Sequence, residues 1–414
     1  MIVRRLLLKY KFSVKLSITI ILLILTSILC FWKLEKPAIE IWDEYLYYNV
    51  VYSTIDSDNF LILQDGRETF FEKPPLWFWL AMFSTKIFGI NNFSIRLVSA
   101  VSGFSIILLT FYLGQKMFSY KAGLISGFTL LATRQLFFKS PTIFSTHNFR
   151  SADLDALQLL FIMLSTLAFF NLTRSSHKKY KLFWLIIAAI FSGFAFLTKG
   201  PFALLPGITY FLFRIINHKK MGWKSIVKEF LIFHFSLLII TVPWHIFMIV
   251  NFDKEFISDY FGYHILKRGL TALEGHNEDI LFYVKLLFHK DFFFSGEIFL
   301  LAIIYLSTKY LLIRLPIRQS LKLQRIGQIR ITNDFALFHC FIASLFILLI
   351  ITLIQTRLSW YILPLYPFAA LLIGKLLHDT SYERNKLLKI IIPGTILFLL
   401  SIQITSNLVY LQKL

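Results

Sequence analysis

The chain has 414 residues, of which 57% are hydrophobic and only 16% charged, with a formal net charge of +20 and a mean hydropathy of +0.67. A soluble domain carries about a quarter charged residues, so this composition excludes an ordinary soluble enzyme. The basic excess excludes a nucleic-acid binder as well, because it falls in short clusters between apolar runs, as in the cytoplasmic loops of a membrane protein.

The amino terminus opens with a basic cluster, Arg4 to Lys15, ahead of an apolar run. That run is long for a signal-peptide core, so residues 12–32 are read as an uncleaved first helix. Residues 33–94 form an acid-rich loop holding Glu35, Glu40, Asp43, Glu44, Asp56, Asp58, Asp65, Glu68 and Glu72. Within it, Trp42-Asp43-Glu44-Tyr45 sets adjacent carboxylates between aromatics. Such acids suit a base and a metal or sugar ligand, while a solvated loop anchored by its aromatics is the alternative. Further on, Phe71-Glu72-Lys73-Pro74-Pro75-Leu76-Trp77 uses two prolines to fix the chain direction beside Glu72 and Lys73. Lys73 suits a phosphate as a point charge. The apolar stretch Pro75 to Ile90 is too short to cross. A crossing there would also turn every later basic cluster outward, so it reads as an interfacial helix.

Spans follow near 95–117, 121–139 and 153–173. The last opens with Arg150-Ser151-Ala152-Asp153-Leu154-Asp155-Ala156-Leu157. Asp153 suits an N-cap; Asp155 lies two residues further in, and an acid at membrane depth is a functional candidate. Spans near 182–199 and 201–217 meet at Lys199-Gly200-Pro201, where Lys199 either snorkels to the interface or serves the site. After a span near 227–250, the loop 251–291 carries Tyr263-His264-Ile265-Leu266-Lys267-Arg268 and Glu274-Gly275-His276. These offer cations to a phosphate and imidazoles to a metal, although each histidine taken singly reads more readily as structural or solvated. Spans near 293–313, 335–354, 358–377 and 388–409 complete the chain, with Arg357 at the edge of the penultimate one.

The reading is an all-α polytopic membrane protein, one domain over 1–414, with about eleven transmembrane helices (between about ten and thirteen) and no soluble carboxy-terminal domain. Basic clusters at Arg4–Lys15, Lys116–Lys121, Arg174–Lys181, Arg214–Lys228, Arg314–Arg330 and Arg384–Lys389 put those loops, and the amino terminus, in the cytoplasm. The loops 33–94 and 251–291, the turn 140–153 and every candidate site residue then face outward. Acids and cations reached from one side suit a sugar attached to a phosphate. A transporter or flippase of a lipid-linked saccharide is the alternative function.

These motifs, in this order, resemble the GT-C class of polyprenyl-phosphate-sugar glycosyltransferases, in particular the bacterial protein O-mannosyltransferase and lipid A aminoarabinose transferase branch. Asp43-Glu44-Tyr45 is similar to the first-loop acidic motif, and Glu72-Lys73-Pro74-Pro75-Leu76 to a Glu-Lys-Pro-Pro-Leu motif. Arg96-Leu97 resembles an Arg-Leu-Pro helix start in which Val98 replaces proline. Asp155-Ala156-Leu157, Leu197-Thr198-Lys199-Gly200-Pro201 and Leu363-Pro364-Leu365-Tyr366-Pro367 also match in register. The resemblance implies transfer, with inversion, of a sugar from undecaprenyl phosphate to a lipid, glycan or protein acceptor at the outer face of the cytoplasmic membrane. It implies that Asp43, Glu44 and Asp155 are catalytic, with Asp43 as base or acceptor-orienting acid. Lys73, Lys199, Arg268 and Arg357 would bind the donor lipid phosphate. Glu72 and His264 would hold a divalent metal ion.

Overall fold

A computed structural model of the chain describes residues 2–139, 146–276, 278–289, 295–314, 331–383 and 386–413. Most of the basic cluster 314–330, part of 384–389 and part of the turn 140–153 lie outside the described residues.

The architecture is all-α, as the apolar runs require: a backbone in hydrocarbon must satisfy its own hydrogen bonds. Helix α1 (Ile2–Phe31) leads into α2 (Asp43–Asp56), a short antiparallel hairpin of β1 (Gln64–Asp65) and β2 (Glu68–Thr69), and α3 (Leu76–Phe88). Next come α4 (Asn92–Met117), α5 (Tyr120–Ala132), α6 (Asp155–Arg174), α7 (Lys178–Lys199), α8 (Leu205–Ile216), the short α9 (His218–Met221) and the long α10 (Trp223–Phe256). An irregular helical stretch, Ile257–Lys267, continues into α11 (Arg268–Leu270). The order closes with α12 (Phe282–Leu287), α13 (Ser295–Arg314), α14 (Ile331–Leu353), α15 (Leu365–Thr380) and α16 (Lys386–Lys413).

Eight helices among the described residues are long and apolar enough to cross a bilayer. The other three expected spans are helices too, but two are short. Residues 121–139 give the 13-residue α5, which stops where Thr133 turns extended. Residues 201–217 give a 3-10 turn and the 12-residue α8, because Gly200-Pro201 breaks the first turn. The third is the 20-residue α13. The segment expected at the interface is the 13-residue α3. Its length of about 20 Å falls short of a hydrocarbon core of about 30 Å.

Local signals set the boundaries. A reciprocal cap starts α4: the Asn91 side chain accepts from the Ser94 backbone, and the Ser94 hydroxyl accepts from the Asn91 N–H. A side chain at Gly114 would meet the Gly123 backbone at 2.7 Å, so α4 and α5 can approach closely only with glycine there.

Long-range contacts bring several helix ends together. Arg150 donates to the carbonyls of Leu29 and Trp32 at the end of α1, Ser99 of α4 donates to the Asp153 carbonyl before α6, and Lys33 donates to the Gln412 carbonyl of α16. The ends of α1, α7 and α16 therefore share one end of the bundle with the starts of α4 and α6. Segment α2–α3 packs onto this end through Tyr47, Val51, Trp77 and Phe78, against Ile95 of α4 and Leu157 of α6.

Candidate active site

Asp43 and Glu44 open α2, and their side chains diverge. Glu44 is fully buried. Its carboxylate accepts from the Arg96 Nε and Nη2 at 2.8 and 2.9 Å and from the backbone N–H groups of Ala152 and Glu40. Arg96 also donates to the carbonyls of Leu34, Pro37 and Ala38, so all five of its N–H groups have partners. Glu44, expected as a catalytic acid, thus points into the protein and ties four segments together. The side chain of Asp43, by contrast, keeps 35% of its surface exposed.

Asp43 faces a residue that the motifs did not mark. His147 is 1% exposed. Its Nε2 lies 2.8 Å from Asp43 Oδ2, at an angle short of an aligned hydrogen bond. Its Nδ1 lies 2.6 Å from Asp155 Oδ2. The Asp155 carboxylate in turn accepts from the Lys199 ammonium, both oxygens at 2.6 Å. The result is an alternating row of charge: Asp43, His147, Asp155, Lys199. Helix ends favour it. Asp155 is the first residue of α6 and Lys199 the last of α7, where helix dipoles stabilise an anion and a cation respectively. Gly200, with φ of 101°, ends α7 directly after the lysine. Trp360 lies flat on the His147 ring, 4.1 Å between centroids and 10° between planes.

Asp153 supports this row from below. Its carboxylate accepts from the Ser151 hydroxyl and from the Asp155 N–H. It takes up the first N–H of α6 from one residue before the cap position, which is Leu154 and not Asp153 as expected, while Asp155 is the first residue of the helix and not two residues inside. Burial pushes Asp153 up to about 7 despite the pull of His147. Burial also opposes ionisation of Asp43, but the His147 contact, with Lys73 and Lys199 nearby, holds its carboxyl well below the usual range. Burial works against charge on His147 too; Asp155 and Asp43 overcome it and raise the imidazole to about 9.

Three of the four expected phosphate cations converge here. Lys73 lies within the electrostatic reach of Asp43, Arg268 and Lys199, and Tyr361 lies against both Lys199 and Arg268. Burial, reinforced by Arg268 and Lys199, draws Lys73 below the usual lysine range despite Glu72 and Asp43. Arg268 pairs with Glu274 at 2.8 Å. Arg357 does not join them. It is buried, donating to the carbonyls of Glu278 and Thr352, and so pins Glu278 to the end of α14.

Two groups invite a metal. Donor atoms of His147, Asp153 and Asp155 lie within 4.8 Å of one another. They do not fit a divalent ion, because Lys199 already bridges both oxygens of Asp155, His147 Nδ1 already bonds one of them, and Asp153 already accepts from Ser151 and the Asp155 N–H. The expected pair fits better. His264 Nδ1 lies 4.0 Å from Glu72 Oε2, and its Nε2 lies 3.7 Å from Asp259 Oδ1. That Nδ1 is buried without a hydrogen-bond partner, which is the atom a metal would satisfy.

Sequence reasoning missed His147 and gave Trp360 no role. His147 is a single residue in an irregular turn, and Trp360 lies in the 3-10 turn Ser359–Ile362 where an interfacial anchor explains it equally well. The one available signal was a histidine three residues before Arg150, in the polar turn that leads to Asp153 and Asp155.

Residues 72–247 match the family described as dolichyl-phosphate-mannose-protein mannosyltransferase. An uncharacterized protein of Aquifex aeolicus is 23% identical over 93% of this chain and 69% of its own length. The undecaprenyl phosphate-alpha-4-amino-4-deoxy-L-arabinose arabinosyl transferase of Wigglesworthia glossinidia brevipalpis is 26% identical over 69% of this chain and 49% of its own. The chain thus spans about half the length of that relative. The structure of ArnT from Cupriavidus metallidurans bound to undecaprenyl phosphate superposes with a TM-score of 0.69, at 19% identity, over 87% of this chain and 60% of that one. By sequence match over residues 72–247 and by fold, the chain is similar to the GT-C class of polyprenyl-phosphate-sugar transferases.

Proposed function

We propose that this chain transfers a sugar from a polyprenyl-phosphate donor to a lipid, glycan or protein acceptor at the outer face of the cytoplasmic membrane. One observation carries the reading: Asp43, Lys73, Asp155, Lys199 and Arg268, from five separate segments, gather at one end of a membrane bundle. A polyprenyl-phosphate donor keeps its chain in lipid and brings its phosphate to the membrane edge, where such cations stand. The ArnT of Cupriavidus metallidurans was solved with undecaprenyl phosphate bound, which supports the same donor class here. The basic clusters of the opposite loops support an outward-facing site.

In this reading Lys73, Lys199 and Arg268 take up charge on the phosphate as the bond from the anomeric carbon to its oxygen breaks. Asp43, the partly exposed carboxylate, receives the acceptor and orients its oxygen for attack on the opposite face, which gives inversion; a phosphate acceptor brings no proton to remove, and a hydroxyl acceptor passes its proton through Asp43 to water as the new bond forms. The low proton affinity of Asp43 makes it an orienting acid more than a strong base. Asp155 holds Lys199 in place through both carboxylate oxygens. Glu44 and Arg357 shape the surrounding loops. A divalent ion held by Glu72 and His264 would supply a fixed positive charge beside Lys73. A transporter would place its charges at broken helices near mid-membrane, whereas these sit at helix ends.

The test uses the purified chain in proteoliposomes with a panel of undecaprenyl-phosphate-linked sugars. Release of undecaprenyl phosphate and appearance of sugar on an added glycolipid or peptide acceptor supports the reading. Movement of the intact donor across the bilayer without cleavage would replace it with the transporter.

A further inference from the structure

Two carboxylates approach one imidazole in this site. Asp43 Oδ2 stands 2.8 Å from Nε2 and Asp155 Oδ2 stands 2.6 Å from Nδ1. A neutral imidazole carries one N–H and one lone pair. It can donate to one of these acids and would then turn a lone pair toward the other. Only the imidazolium sets positive charge against both acids, bonded to Asp155 through Nδ1 and close to Asp43 at Nε2 without an aligned bond, and turns a lone pair to neither. Trp360, stacked flat on the ring, favours the same form, since an indole face attracts a cation.

The backbone adds a separate observation. His147 has a φ of 63°, and Trp42, directly before Asp43, has a φ of 88°. One partner of the contact, His147, and the residue that leads into the other, Trp42, therefore lie in the positive-φ region, where side chains other than glycine are strained. Such strain gathers at sites whose geometry is over-determined by their surroundings. Relaxing either residue would move a charged group out of the row.

From this geometry we infer that His147 is the positioning cation of the site: an imidazolium clamped between Asp43 and Asp155 beneath Trp360, which keeps Asp43 ionised and aimed at the acceptor. The inference rests on the transferase reading for its kinetic consequence, but the charge state can be read without any turnover. The groups that face the ring are Asp43 from α2, Asp155 at the start of α6, and Asp153 from the turn before it. Lys199 from α7 stands behind Asp155, and Lys73 approaches Asp43 from the segment before α3. No proton is transferred by His147 in this role. It stays charged, and it acts through Asp43 without touching substrate.

The experiment pairs a spectrum with kinetics. In protein labelled with 15N-histidine and reconstituted with undecaprenyl phosphate, the His147 resonances, assigned by their loss in His147→Gln, are expected to show both ring nitrogens protonated at pH 7. Asp43→Asn should return the ring to a neutral form near that pH. A neutral imidazole at pH 7 in the wild type overturns the inference, whatever the activity. In the transfer assay, His147→Gln should lower kcat by at least about a hundredfold and leave the donor KM within a few-fold. Trp360→Phe, which keeps a stacking face, should retain most of the activity, and Trp360→Leu should not. A His147→Gln enzyme that binds undecaprenyl phosphate normally and turns over within about threefold of wild type also overturns the inference. If the wild type transfers no sugar at all, the transferase reading fails, and the spectrum still decides the charge state.

Discussion

Arg96 grips the Glu44 carboxylate through two bonds of 2.8 and 2.9 Å, across 52 residues of sequence and with neither side chain more than 2% exposed. The pair joins α4 to the start of α2 and, through the Glu40 and Ala152 backbones, to both flanking segments. Removing one member of such a pair leaves a buried charge without its partner, at a cost of about 3–5 kcal/mol. Glu44→Gln and Arg96→Ala should therefore lower the thermal unfolding midpoint in detergent by several degrees and reduce the yield of monodisperse protein. Activity per folded molecule should change far less. A Glu44→Gln protein with unchanged stability and no activity would return Glu44 to the catalytic set.

Asp43 should behave in the opposite way. It is the half-buried acid of the row, facing the cleft, so Asp43→Asn removes a charge from the cleft and less from the core than a change at Glu44. Transfer should fall by at least about a hundredfold, with a smaller loss of thermal stability than Glu44→Gln. Transfer assays on membranes matched for protein content decide this, and wild-type turnover in Asp43→Asn would take Asp43 out of the mechanism.

The contrast between these neighbours shows what the sequence could carry. Fold class was legible because apolar runs near the length of a bilayer admit few alternatives, while the clustered Lys and Arg gave only an expectation of which loops share a side. Asp43, Lys73, Asp155 and Lys199 could be named as candidates because charges at the ends of apolar helices need a reason. Glu44 was not separable from Asp43. Adjacent helical residues point about 100° apart, and no sequence pattern states which one meets Arg96. His147 was illegible for a different reason. It reaches Asp43 and Asp155 through a left-handed turn, and a lone histidine in a polar segment carries no sign of that bend.

The charge on His147 makes stability depend on pH. The imidazole is raised to about 9 from 6.5, so folding favours its protonated form. Its contribution is fully present below about pH 6.5 and is lost as pH rises through about 9, with a ceiling of about 3 kcal/mol. Asp43 is depressed, so its contribution is lost only in acid, outside this window. The unfolding midpoint of the wild type should fall between pH 6.5 and 9 by more than that of His147→Gln. Parallel curves for the two proteins would show that the imidazole gains no proton affinity on folding.

A divalent ion at Glu72 and His264 should be visible as stabilisation, because a ligand that binds only the folded state raises the unfolding midpoint with its concentration. Zn2+ added after chelation should raise the midpoint of the wild type but leave His264→Ala and Glu72→Gln unmoved. Calorimetric titration gives the same answer as a loss of binding in both variants. Equal responses in all three proteins would assign the effect to another site.

Orientation is testable without any activity, because the two native cysteines, Cys30 and Cys340, are fully buried and need not be replaced. Asn59 follows α2 and Ser176 lies between α6 and α7, and both are exposed. Ser176 belongs to the basic loop Arg174 to Lys181, which the positive-inside rule assigns to the cytoplasm. Asn59 lies in the segment that carries Asp43 and Lys73 to the site. In intact spheroplasts, Asn59→Cys should react with a membrane-impermeant thiol reagent, and Ser176→Cys should react only after the membrane is opened. The reverse pattern would put the Asp43 cleft in the cytoplasm. A donor would then be consumed on the inner leaflet, and the outward-facing part of the proposed function would have to be abandoned while the site chemistry stood.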